Sequence, residues 1–139
     1  MSDWNKKIIE EFRANDGKVG GNFAGKTLLL LHTKGAKSGL ERINPVACIR
    51  DGERFAVIAS KGGADTHPDW YYNVVANPQL TFEFGTETFQ AQATIAEEPE
   101  RTRLYDKMAE MMPGFNHYRA KAKRVIPVIV LTPVNEYFD

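Results

Sequence analysis

Three strand-like segments follow one another between residues 27 and 60 with only short turns between them, and this succession limits what the chain can fold into. Residues 27–33 are an apolar, leucine-rich run of a length suited to a buried strand. A glycine-bounded turn over 34–39 leads to a second strand over 40–50. Asp51-Gly52 is a hairpin signal joining that strand to a third over 54–60. Parallel strands need a crossover, usually a helix, between them, and none fits here. The sheet is therefore antiparallel. Pro45 lacks the N–H that a ladder needs, so it predicts an edge position or a bulge in the second strand. Leu80, Phe82 and Phe84 alternate with Thr81 and Glu83, and Phe89, Ala91, Ala93 and Ile95 repeat the pattern one strand later. A last apolar run over 126–132 makes six strands. The expected fold is mainly β with flanking helices (α+β), a six-stranded antiparallel sheet curled into a small barrel.

The helices come before and between these strands. Trp4, Ile8, Ile9 and Phe12 give residues 3–14 an apolar face at helical spacing, and Asn15-Asp16-Gly17 stops it. Gly17, Gly20, Gly21 and Gly25 then form a loop, so the chain divides into an N-terminal helix (1–16) and a barrel (17–139). Thr66 and Asp69 have capping-box spacing with Pro68 near the first turn, which predicts a helix over 67–76. A charged helix is expected over 97–112 with Leu104, Met108, Met111 and Met112 inward, and Pro113-Gly114 separates it from a shorter one over 115–123. The length of 139 residues suits one domain.

Several chemistries are excluded by composition. Cys48 is the single cysteine, which rules out an internal disulfide and points to a reducing compartment. It sits in an apolar strand, where a thiol serves as a small hydrophobe. His32, His67 and His117 are scattered, so no metal site is expected. No G-x-S-x-G, P-loop or G-x-G-x-x-G pattern is present. The chain lacks both a signal-peptide pattern and an apolar stretch of about 20 residues, so a cytoplasmic protein without membrane insertion is expected. Eighteen Lys and Arg balance eighteen Asp and Glu. That neutrality, with an acidic second half, argues against nucleic acid.

The balance is global and not local. Residues 26–61 carry seven cations against three carboxylates, and residues 62–114 carry nine carboxylates against three cations. Lys34, Lys37 and Arg42 surround the glycine turn 34–39, where backbone N–H groups can approach an anion beside cations. Ala59-Ser60-Lys61-Gly62-Gly63-Ala64 leaves a strand end ahead of a helix, a second arrangement that suits phosphate or carboxylate. Trp70-Tyr71-Tyr72-Asn73 follows directly, and three successive helical residues cannot share one face, which leaves Tyr72 outside. A flat aromatic ligand with an anionic tail would use all of these features.

These segments resemble a known family. Thr33, Gly35, Lys37, Ser38 and Gly39, followed by Arg42, Asn44 and Pro45, match the T-x-G-x-K-S/T-G…R-x-N-P segment of the actinobacterial deazaflavin-dependent nitroreductases. Ala59–Ala64 with Pro68, Trp70, Tyr71, Asn73 and Ala76-Asn77-Pro78 match their second block, and the likeness runs from about residue 18 to Pro133. The resemblance implies a split β-barrel of the FMN-binding type that binds coenzyme F-420. It implies that the phosphate and oligoglutamate tail lie near Lys37, Arg42 and Lys61. Ring and linker contacts are implied for Asn44, Pro45, Ala59, Ser60, Gly62, Gly63, Trp70 and Asn73.

The implied reaction is hydride transfer from reduced F-420 to a hydrophobic electrophile such as a quinone, an activated enone, an unsaturated lactone or a nitroaromatic. The coenzyme carries the reactivity. Ser60 and Tyr118 match positions on the substrate side, where each would donate a hydrogen bond to the acceptor. Tyrosines of the nitroimidazole-activating members are replaced by Ala47, Met112 and Phe115, which favours apolar quinones or lactones over nitro compounds. Two other readings stand beside this one: an FMN-dependent reductase on the same barrel, and a non-catalytic carrier of F-420 or of an apolar ligand such as a fatty acid. The N-terminal helix is expected to cover the pocket, and its balanced charges (Lys6 and Lys7 against Glu10 and Glu11) allow only weak peripheral contact with an anionic membrane. Monomer and edge-paired dimer remain open.

Overall fold

In the computed structural model, which describes residues 3–20 and 27–134 and side chains from Asn5 onward, six strands close into one antiparallel barrel. The strands are β1 (Leu28–Lys34), β2 (Glu41–Asp51), β3 (Arg54–Ile58), β4 (Gln79–Phe84), β5 (Glu87–Ile95) and β6 (Val128–Pro133). Around the barrel they run β1-β2-β3-β6-β5-β4, and every neighbouring pair is antiparallel. Four helices flank them: α1 (Asp3–Ala14), α2 (Asp69–Ala76), α3 (Glu100–Met111) and α4 (Gly114–Lys121). The expected fold class is the observed one. The expectations for Trp4, Gly21 and Gly25 fall outside the described residues and side chains.

Alternation along the strands divides the apolar residues into layers. Leu29 and Leu31, Phe55 and Val57, and Ile129 and Leu131 fill the barrel together with Phe82, Cys48 and Trp70. Their neighbours point outward. Ala56, Ile58, Val128 and Val130 pack under Leu104, Tyr105 and Met108 of α3, and Leu28 and Leu30 pack under Ile8, Ile9 and Phe12 of α1. This double coverage explains why β1 and β6 read as unbroken apolar runs. Inside the barrel Phe55 contacts Phe82, Phe84 and Phe89 with ring centroids 4.9–5.8 Å apart.

Burial among these groups pushes the Cys48 thiol up to about 12. We expect the native protein to resist Ellman's reagent at pH 8 and to react only as it unfolds, because the thiolate is the reactive form. Rapid labelling of folded protein would contradict this packing.

Two details differ from the sequence reading, and a third decides between its two alternatives. Pro68 caps α2 in an extended conformation with no side-chain cap bond, so the expected Thr66–Asp69 capping box does not form. The fixed proline φ sets the start of the helix, and the Thr66 hydroxyl accepts instead from Lys61 Nζ at 3.2 Å. Met111 is exposed while Met112 is buried, since successive residues on a helix point about 100° apart. Pro45 occupies an edge without a bulge: it pairs with Leu30 of β1 in an unbroken register, and β3 meets β2 only from Cys48 onward.

The β2–β3 hairpin is tied to α3 by charge. Asp51 accepts from Arg54 at 2.7 Å and from Arg103 at 3.0 and 3.1 Å. These bonds, Arg103 first and Arg54 second, hold its carboxyl well below the usual carboxylate range. A depressed acid stabilises the fold above its unfolded pKa and loses that contribution as pH falls through the folded one. Asp51→Asn is therefore expected to lower Tm at pH 7. The gap should shrink below about pH 4, where an unfolded aspartate takes up its proton. A gap that is unchanged at pH 2.5 would rule this out.

Candidate active site

The barrel splits where β2 changes partners. Residues 41–47 pair with β1 and residues 48–51 with β3, so the first half of β2 has one edge without a strand beside it. Glu41, Arg42, Ile43 and Asn44 on that half line a cavity of about 320 Å³. Lys61, Pro68, Asp69, Trp70 and Asn73 form its other side, and Asn5 of α1 completes the wall. A second cavity of about 650 Å³ is lined by the turn Gly35–Ser38 and by Tyr72, and it shares Arg42, Asp69 and Asn73 with the first. The two spaces are thus contiguous around Arg42. They bring together Lys37, Arg42, Asn44, Lys61, Trp70 and Asn73, six of the residues expected from the sequence.

Trp70 is buried at the barrel mouth, whereas Tyr72 on the same helix is half exposed, as helical spacing requires. Asn73 joins α2 to the β1–β2 turn. Its Oδ1 accepts from the Ala36 N–H at 3.0 Å, and its Nδ2 donates to the buried Thr33 hydroxyl at 3.3 Å. Lys37 and Arg42 have no carboxylate partner among the described residues, in contrast to Arg13, Arg54, Arg101, Arg103 and Arg119. Unpaired cations beside a cavity are available to an anion.

The segment after β3 has an unusual backbone. Ser60 is right-handed (φ −78°, ψ −36°), and Lys61, Gly62 and Gly63 then all have positive φ, at 47°, 64° and 86°. Lys61 adopts a conformation that costs a non-glycine residue on the order of 1 kcal/mol, and such positions cluster at functional sites. A right-handed residue followed by left-handed ones turns successive N–H groups toward one concavity. Gly63 N–H donates to the Ser60 carbonyl (2.9 Å) and Ala64 N–H to the Lys61 carbonyl (3.1 Å). The N–H groups of Ser60, Lys61 and Gly62 have no acceptor among the described residues.

Ser60 is buried as a residue, and its hydroxyl is not an orphaned buried group, since no buried side-chain oxygen or nitrogen among the described residues lacks a partner. Tyr118 lies on α4, whose backbone packs directly on Gly63. Its ring meets Phe115 edge-on at 5.2 Å. Neither cavity is lined by Ser60 or Tyr118, nor by Pro45, Ala59, Gly62 or Gly63.

Sequence reasoning missed three groups. Asp69 lines both cavities, and Asn5 reaches the first of them because α1 is held to the barrel. That hold combines the Ile8–Ile9–Phe12 face with a bidentate pair from Arg13 to Glu83 at 2.7 and 3.1 Å. Glu83 also lies 2.6 Å from His32 Nε2, and its carboxyl is held below the usual range by Arg13 first. The third group is Arg124, which binds the 59–64 segment from behind. Burial, reinforced by Arg124, lowers the pKa of His67, whose Nδ1 lies 2.9 Å from the guanidinium and so serves as its acceptor. No helix among the described residues is long and apolar enough to cross a membrane. No metal-binding group of three His, Cys, Asp or Glu occurs among them either.

Comparison with known proteins identifies relatives of this arrangement. The family described as F420H(2)-dependent quinone reductase matches residues 4–133. An F420H(2)-dependent quinone reductase of Mycobacterium tuberculosis is 34% identical over 125 residues, covering 87% of this chain and 84% of its own. A solved F420-H2-dependent reductase is 35% identical with a TM-score of 0.70, covering 75% of this chain and 92% of that one. Another structure, described as a domain-swapped dimer, is 33% identical with a TM-score of 0.72 and covers 93% and 97%.

Proposed function

This chain belongs to the F420H(2)-dependent quinone reductase family, and from that premise we propose that it reduces a small, flat, hydrophobic electrophile held at the barrel split. It is an F-420-dependent oxidoreductase. The finer reading takes the acceptor to be a quinone, an activated enone or an unsaturated lactone, with nitroaromatics disfavoured by Ala47, Met112 and Phe115. Met112 and Phe115 are buried in the apolar cluster with Leu104, Tyr105 and Met108 of α3, and neither brings a hydroxyl.

The observation that carries the reading is the set of unused donors on the cavity-lining residues Lys37, Arg42 and Lys61 and on the chain neighbours of Lys61. Three N–H groups of the 60–62 segment lack acceptors, and Lys37 and Arg42 lack carboxylates, all among the described residues. A deazaflavin with a phosphate and a glutamate tail matches that donor set, so the residues present fit the coenzyme. Bound there, it supplies a hydride donor. In this reading Lys37, Arg42 and Lys61 hold the tail, while Asn44, Pro45, Ala59, Gly62, Gly63, Trp70 and Asn73 shape the space for ring and linker. Ser60 and Tyr118 offer hydroxyls to the developing oxyanion of the acceptor. The N-terminal segment (1–16) serves the barrel (17–139) as a wall of that space through Asn5.

A side-by-side tryptophan-fluorescence titration with F-420 and FMN tests the cofactor assignment. F-420 is expected to bind far more tightly. Preference for FMN overturns the tail-binding roles, and binding of neither leaves a carrier of apolar ligands. For the acceptor side, Ser60→Ala should lower kcat/KM about tenfold or more across several quinones, the order expected for one oxyanion donor. Unchanged kcat/KM in both Ser60→Ala and Tyr118→Phe would remove these residues from the mechanism.

A further inference from the structure

Arg124 lies in the connection between α4 and β6, outside both cavities, yet its guanidinium gathers four bonds from one short stretch of chain. Nε donates to the Ala64 carbonyl at 2.9 Å, and Nη2 donates to the carbonyls of Ala59 (3.2 Å) and Ser60 (3.0 Å). Nη1 lies 2.9 Å from His67 Nδ1. A single side chain therefore fixes both ends of the 59–64 segment and His67, two residues ahead of α2.

Peptide planarity gives this arrangement a consequence. In a trans peptide the C=O of one residue and the N–H of the next point in opposite directions. With the carbonyls of Ala59 and Ser60 drawn toward the guanidinium, the N–H groups of Ser60 and Lys61 are turned away from it. Those are two of the three N–H groups without an acceptor among the described residues, and Lys61 lines the first cavity. We propose that Arg124 is a positioning residue for the anionic coenzyme, holding the 59–64 carbonyls from behind so that the Ser60 and Lys61 N–H groups are presented as a preformed anion cradle. The proposal rests on the F-420 reading for the identity of the anion, but the holding of the loop stands independently of it. Arginine suits the task because its planar fork spans separated acceptors, which a lysine ammonium cannot do.

The test uses the full chain with Arg124→Ala and Arg124→Lys, at a temperature where circular dichroism shows both folded. Arg124→Ala is expected to raise the Kd and KM for reduced F-420 by about ten- to a hundredfold, the worth of losing charge-assisted bonds that order a binding loop. Its kcat at saturating coenzyme should fall by a much smaller factor than KM rises, since bound coenzyme restores order to the segment that carries Ser60. Amide exchange by NMR gives a readout that does not depend on coenzyme. The Gly63 and Ala64 N–H groups, which bond within the turn, should exchange at least several-fold faster, while Ala93 N–H, bonded to Pro78 at the end of the β4–β5 ladder, should not. Arg124→Lys keeps the charge but should resemble Arg124→Ala in both readouts.

Wild-type affinity in either variant overturns the proposal, as does unchanged exchange at Gly63 and Ala64. A uniform rise in exchange that includes Ala93 would assign Arg124 a general stabilising role and overturn it as well. If wild-type protein fails to bind F-420, the cofactor reading fails. The exchange comparison then decides the loop-holding role separately.

Discussion

Gly63→Ala is expected to cost this protein about 2–5 kcal/mol and to abolish tight coenzyme binding, although it adds a single methyl group. An added Cβ would lie 3.0 Å from both Cα and the carbonyl oxygen of Tyr118, and 3.3 Å from Cδ of Lys121. The lysine carbon can swing away, but the Tyr118 atoms are the backbone of α4, so the whole helix must shift. Overpacking of that kind costs about 1–3 kcal/mol. The φ of 86° adds on the order of 1–2 kcal/mol for any residue with a Cβ. Set against a typical total stability of about 5–15 kcal/mol, this should lower Tm by about 10 °C. The loop that carries the unpaired N–H groups moves with α4, so F-420 affinity should fall by at least tenfold. Gly62→Ala is the matched control. Its φ is 64°, but nothing lies within 4 Å of the added methyl, so only the backbone term of about 1 kcal/mol applies. Equal Tm losses in the two variants would show that the contact between the loop and α4 is not what fixes the turn.

That contact also marks the boundary of what the sequence discloses. Strand order along the chain and the two anion-friendly loops were legible because they depend on local chemistry. Asp51-Gly52 turns a hairpin through residues two apart, and Pro45 marks an edge through its own missing N–H. The barrel split follows from that same edge. Residues whose role depends on distant partners gave no signal. Arg124 stands in the sequence as one more cation after Lys121 and Lys123, and its acceptors lie 57 to 65 residues earlier. Asp69 looked like part of a cap for α2, yet the fold uses Pro68 for that purpose and leaves Asp69 lining both cavities. The layering of β1 was hidden for the opposite reason. Its four leucines are equally apolar, and nothing local says that two face the barrel interior and two face α1.

Removing the two unpaired cations should separate the coenzyme's tail from its ring. Lys37 lines the larger cavity, and Arg42 stands where the two cavities meet. Both are exposed, so each pairing with a tail carboxylate is worth only about 0.2–1 kcal/mol and is weakened by salt. A phosphate held by the Arg42 fork is worth more, about 1.5–3 kcal/mol for charge-assisted bonds. Lys37→Ala is therefore expected to weaken F-420 by about two- to fivefold, and the loss should disappear when the glutamates are removed from the coenzyme. Arg42→Ala should weaken it by about ten- to a hundredfold, with part of the loss surviving in the tail-less form. In the double variant the losses should nearly add if the two cations hold different groups, and fall well short of adding if they share one. Raising salt from 50 to 500 mM should erase most of the Lys37 effect and less of the Arg42 effect, since a fork bonded to phosphate at the cavity junction is less screened than an exposed ammonium. Isothermal titration with F-420 of defined glutamate number measures all of these. A loss in Lys37→Ala that is independent of glutamate number would place the tail elsewhere, and an Arg42→Ala protein that binds normally would move the phosphate away from the barrel split.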